Sequence, residues 1–175
     1  TSAQLNALTS TQLPSLSSAQ VRALTTEQLS KLTTTQVAGL STAQVAALST
    51  GQVAALTSVQ LNAMASDDLK ALTTAQVRAL TSDQLSKLSS DQVALMATDD
   101  IAALSTGQIS HLATAAIAAL TTDQAKALTT AAINALSSAQ ITAIETADLA
   151  AMSSAQLGKM GNTQVAQLTS VQVAA

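Results

Sequence analysis

Aliphatic side chains recur along this chain at intervals of five and then three residues, separated by hydroxyl, amide and alanine positions in an unbroken order. From Leu8 the sequence reads LTSTQLPS, LSSAQVRA, LTTEQLSK, LTTTQVAG and so on to LTSVQVAA, which ends at Ala175. Residues Thr1 to Ala7 are the same phrase without its first letter, so 21 complete units and one nearly complete unit fill the 175 residues. A fixed period of this kind assigns stability and function to a stack of units, not to one core with a pocket. Residues 1–175 are therefore read as a single octapeptide array of about 22 units. It starts without Met or a signal peptide and begins and ends mid-pattern without a polar capping repeat, and is expected to be a piece of a longer array.

With the slots of a unit numbered from its Leu, slot 1 is Leu in sixteen units, Ile144 in one and Met64, Met96, Met152 and Met160 in four. Slot 6 is Val, Leu or Ile except at Ala125. These two slots are the expected buried anchors. A strand would point them to opposite faces, and Ala and Gln are weak strand formers. A continuous helix fails too, because at 100° per residue eight residues overshoot two turns by about 80°, and the apolar stripe would sweep around the rod. One short helix per unit remains.

The slots match a helix-start signal in detail. Slot 2, mostly Ser or Thr, is the N-cap; its hydroxyl accepts from the slot 5 amide while the slot 5 Gln reaches back to the slot 2 amide, as in an S/T-x-x-Q capping box. Slots 1 and 6 then occupy the two positions of a hydrophobic staple. Slots 2 and 5 each depart from type in five units, and four of these coincide: Ala65 with Asp68, Ala97 with Asp100, Ala113 with Ala116, and Glu145 with Asp148. Thr129 with Ala132 and Gly161 with Gln164 break the pairing. All ten acids lie in slots 2, 4 or 5, and all seven bases lie in slots 7 or 8, the order that helix dipoles favour. Slot 3 is Ser or Thr except at Asn162 and is a helper hydroxyl or an alternative cap.

The predicted fold is all-α: a repeat solenoid or superhelix of very short helices around a thin Leu/Val/Ala core. Polar slots 4, 5 and 7 are expected to face outward, and Ala at slot 8 to let the next turn approach closely. An isolated helix of about six residues is unstable, since helices below roughly 12 residues are marginal alone. Folding therefore requires neighbouring units.

Composition then narrows function. The chain has no Phe, Trp, Tyr or Cys, is 10% charged and carries a net charge of −3. Seven scattered bases and no stacking rings exclude a nucleic-acid surface, and the lack of Cys removes disulfides and thiolate metal sites. No apolar run approaches the roughly 18 residues that cross a bilayer, so membrane insertion is not expected. His111 stands in a slot also used by Lys and reads as a helix-end surface residue. A catalytic hydroxyl should be singular, whereas Ser and Thr occur in every unit, so no Ser-His-Asp set is nominated. Asp67-Asp68 and Asp99-Asp100 lack calcium-loop spacing and read as helix-start charges. Pro14 at slot 7 forfeits a helical hydrogen bond and predicts a weak first turn. Gly39, Gly51, Gly107, Gly158 and Gly161 form no phosphate-binding pattern. No catalytic, cofactor-binding or metal-binding residue is nominated, no cofactor is implied, and the chain is not expected to be an enzyme.

LTTAQVRA, LSTAQVAA and LTTDQAKA resemble the L-[ST]-[ST]-x-Q-[VIL]-x-A octapeptide arrays of very large bacterial secreted or cell-surface proteins of the haemagglutinin-like or adhesin-like type. The resemblance spans the chain. It implies an exported, extracellular or cell-surface segment acting as a spacer or scaffold, with no catalytic residue to transfer. Two other functions are weighed: a solenoid that binds a peptide or glycan through its outward slots, and an ice-binding surface of regularly spaced Thr. The first requires neighbouring units that share unusual residues at slots 4 and 7, and the second a uniform Thr row. The sequence offers only scattered variation, with clustering at most around Asp67 to Lys70 and Asp91 to Ile101, and a free exchange of Ser with Thr.

Overall fold

The computed structural model describes Thr9 and residues 12–174; the incomplete unit Thr1 to Ala7 and the anchor Leu8 lie outside the described residues. Among the described residues there are 20 α-helices of four to six residues and no strand, and each helix occupies one unit. The expected all-α repeat fold is what forms. The unit holding Pro14 makes only a 3-10 turn over Leu13–Ser15, as the missing amide hydrogen predicts.

The corner between helices is made by slots 1 and 2, both extended. At one such corner Leu48 has φ −58° and ψ 142°, and Ser49, the next N-cap, has φ −71° and ψ 158°. No described residue has positive φ, glycines included. Helices commonly end on a left-handed glycine; two extended residues replace it here, so the phrase turns after every helix without a Gly or a loop.

The chain divides into two compact units, one ending at Lys87 and the other starting at Leu88. Within each, a helix packs against the helix three places later. In the first unit, Ser18–Arg22 meets Thr42–Ala47 and Ser58–Asn62 meets Ser82–Lys87; in the second, Thr98–Ala103 meets Thr122–Ala127 and Thr122–Ala127 meets Thr146–Ala151. One turn of the solenoid therefore takes about three helices, a number that no feature of the eight-residue phrase specifies.

The core is as thin as the composition dictates. Slot 6 side chains such as Val45, Leu61, Ile109 and Ile141 are fully buried, and slot 1 side chains such as Leu48 and Leu112 nearly so. Ala125 is fully buried at slot 6 despite its small size. Slot 4 is exposed in every described unit, and slot 7 is exposed or half-buried, as expected. Slot 5 corrects the sequence reading: thirteen of its glutamines are buried instead of facing water. Slot 8 offers weaker support for close approach, because its described alanines are half-buried, or exposed in the case of Ala23, and Lys31, Lys87 and His111 occupy the same slot exposed.

Candidate functional site

The recurring polar site of the molecule is the slot 5 amide. In the helix Thr42–Ala47, the Ser41 hydroxyl accepts from the Gln44 backbone amide, and the Gln44 Oε1 accepts from Ser41 N at 2.8 Å. This is the predicted capping box. The same reciprocal pair closes at Thr9/Gln12, Ser17/Gln20, Thr57/Gln60, Ser137/Gln140 and Thr169/Gln172, among others.

The other half of each amide does something that the local sequence does not announce. Gln44 Nε2 donates to the carbonyls of Leu13, Pro14 and Leu16 at 3.2, 3.3 and 2.7 Å. Gln76 does the same to Val45, Ala46 and Leu48, and Gln156 to Ala125, Lys126 and Leu128. In slot terms, the amide of one unit serves slots 6 and 7 of the unit four before it and slot 1 of the unit three before it. These carbonyls stand at a helix C-terminus and the corner after it. The slot 6 carbonyl already accepts from the slot 1 amide, as Val45 does from Leu48 at 3.1 Å, and the glutamine amide adds a second donor there and also serves slots 7 and 1. A single buried side chain thus caps the start of its own helix and the end of a helix one turn below. No buried side-chain polar atom among the described residues lacks a partner.

Slot 3 hydroxyls add a second cross-turn link in some units. Ser18 Oγ donates to the Ala43 carbonyl at 3.3 Å, Ser90 Oγ to Ala115 at 3.1 Å, and Thr122 Oγ1 to the Asp148 carboxylate at 2.6 Å. Slot 3 is a turn-to-turn linker there, and slot 2 is the cap.

Units that depart from the phrase behave as their side chains require. Ala65, Ala97, Ala113 and Glu145 make no side-chain cap. Thr129 caps Ala132 N at 3.0 Å without a return bond, and Gly161 N donates to Gln164 Oε1 at 2.7 Å with no hydroxyl to complete the box. Asp68 is buried at slot 5, and burial, reinforced by the neighbouring Asp67 charge, raises its pKa above the ordinary carboxylate value, while a backbone hydrogen bond from Ala65 acts the other way.

The remaining candidates stay apart. His111 is exposed at the C-cap of Thr106–Ser110. Asp67 is exposed and pairs with Lys70 at 3.6 Å on the same helix; Glu27 with Lys31 and Asp123 with Lys126 repeat the arrangement. Lys31 hydrogen-bonds Glu27 and lowers the pKa of its carboxyl. The charge order along each unit thus also makes ion pairs one helical turn apart, each worth little at an exposed surface. Among the described residues no group of His, Asp and Glu lies together in a way that could hold a metal ion, and no helix is long and apolar enough to cross a membrane.

A family model, the ALTTAQ repeat, matches residues 1–34, 28–58, 61–98, 93–130 and 141–175. No curated protein and no solved structure gives a significant match.

Proposed function

The chain belongs to the ALTTAQ repeat family, and on that footing we propose that it is a non-catalytic spacer or scaffold segment of a large bacterial surface or secreted protein. Its task is to hold the segments on either side of it apart by a distance set by the number of units. One observation carries this reading: the polar side chains that chemistry or recognition would use are committed to the backbone. Slot 2 hydroxyls cap helices, and slot 5 amides join helix starts to helix ends one turn away. Slot 4, the most uniformly exposed, holds Ala, Gly, Thr, Val, Asp and Glu, and its one charged run, Asp83, Asp91 and Asp99, is matched by no shared residue at slot 7, where Ser86, Ala94 and Ala102 stand. Low contact order and near-identical units suit folding after export.

The test is to place fluorophores on segments flanking the chain and to insert or delete blocks of three units. A spacer predicts equal increments of distance per block and no saturable binding on peptide and glycan arrays. Saturable binding abolished by changing slots 4 and 7 of a few neighbouring units would establish the binding module instead.

A further inference from the structure

Two joints inside the compact units carry a carboxylate where most carry an amide. At Gln44, Gln76 and Gln156 the Nε2 group lies 2.7–3.4 Å from three carbonyls, those of slots 6, 7 and 1. Each joint is a cradle of backbone oxygens closed around the positive end of a dipole. By the same register Asp68 faces the carbonyls of Val37, Ala38 and Leu40 in the first unit, and Asp148 those of Ile117, Ala118 and Leu120 in the second. Both aspartates are buried, each only 5% exposed.

A carboxylate has no hydrogen to give these oxygens. Val37 and Ile117 accept from the Leu40 and Leu120 amides, but no described residue donates to the carbonyls of Ala38, Leu40, Ala118 or Leu120. No base answers the buried charges either. Lys70, on the Asp68 helix, pairs with the exposed Asp67, and Lys126, on the helix packed against the Asp148 helix, pairs with the exposed Asp123. Glu145, the other charge in the Asp148 unit, is also negative and exposed. Buried charges are otherwise paired or coordinate a metal ion. At the second joint the Thr122 hydroxyl, which donates to Asp148 Oδ1 at 2.6 Å, brings one more oxygen.

Side-chain length points the same way. Glu would match Gln in length and press a carboxylate oxygen against the carbonyls, whereas Asp is shorter by one C–C bond, about 1.5 Å, and leaves room for an ion between them. Slot 5 holds three Asp and no Glu.

We propose that Asp68 and Asp148 each complete a sodium site, in which the cation takes the place of the glutamine Nε2 and joins the carboxylate to the carbonyls of the neighbouring turn. Every ligand is oxygen, as a hard cation requires, and carbonyls of helix C-termini and unwound backbone coordinate sodium in transporters. One buried carboxylate per cradle matches one positive charge. The site needs no group of acids, only the carbonyl cradle that the array repeats.

Carbonyl carbon NMR shifts of the full chain, followed while NaCl replaces choline chloride at constant ionic strength, test each joint separately. The Leu40 and Leu120 carbonyls should move saturably; those of Leu48, held by Gln76, and Leu104, which Ala132 faces in the same register, should not. Asp148→Asn should abolish the response at Leu120 and leave it at Leu40, and Asp68→Asn should do the reverse, so the unchanged unit of each variant is its folded control. No saturable shift at either carbonyl, an equal shift at Leu104, or a response that survives its own variant overturns the proposal. A response to millimolar CaCl2 with none to NaCl assigns a divalent ion and overturns it as well.

Discussion

Gln84 Nε2 donates to the Leu56 carbonyl at 2.7 Å across 28 residues of sequence, while its Oε1 accepts from Thr81 N at 2.8 Å in its own unit. One amide therefore closes a helix start and holds a neighbouring turn. Gln84→Ala should lower stability by about 2–3 kcal/mol, from roughly 1 kcal/mol for the lost capping partner and 1–2 kcal/mol for the Leu56 carbonyl left without a donor, Val53 keeping the Leu56 amide. Ser86→Ala, at half-buried slot 7, should stay within about 0.5 kcal/mol. Urea denaturation of the two variants checks this.

Gln84→Glu separates the two roles. A carboxylate can still accept from Thr81 N, but it has no hydrogen to give to Val53 and Leu56, whose carbonyls lie 2.8 and 2.7 Å from the present Nε2. The variant should melt below the parent at pH 7 and recover part of the difference at pH 4, where protonation restores a donor.

What could be read from the phrase and what could not divide along this line. The cap at Ser41, the box with Gln44 and the staple of slots 1 and 6 are contacts within a few residues, so their chemistry is visible in eight letters. The partners of Gln44 Nε2 are backbone carbonyls 28–31 residues away, and a carbonyl leaves no trace in a sequence. Gln was therefore expected at the surface, where a box needs nothing more. A signal existed: a capping box accepts Glu as readily as Gln, yet no unit has Glu at slot 5. That preference points to a donor at this position without requiring one, since Asp68, Asp100, Asp148, Ala116 and Ala132 also occupy it. The three helices per turn had no comparable mark, because packing between turns is set by the sum of small corner angles.

Ala132→Gln should stabilise the second unit. Thr129 already caps Ala132 N, and an amide at this slot would gain the Thr129 N–H and the carbonyls of Ile101, Ala102 and Leu104 by the register that Gln124 and Gln140 follow. A gain of about 1–2 kcal/mol, read as a higher melting temperature, is expected.

Asp68 gives a pH dependence of known sign. Its pKa is raised on folding by burial and by Asp67, so the folded state holds the proton more tightly than the unfolded chain does. Its contribution is most favourable below the unfolded value and is lost as pH rises through the folded one. Ala65→Ser with Asp68→Gln restores the box and removes the titration. The melting-temperature advantage of this double variant over the parent should be largest near pH 7 and should shrink as pH falls toward the ordinary carboxylate range.

Hydrogen exchange of glutamine side-chain amides, followed by NMR at low protein concentration, reads the cross-turn bond itself. Nε2 hydrogens of Gln44, Gln76, Gln84 and Gln156 should exchange orders of magnitude more slowly than those of Gln167, an exposed glutamine at slot 8. Equal exchange at all five would show that slot 5 caps its own helix and nothing else, and the account of how the turns are joined would be wrong.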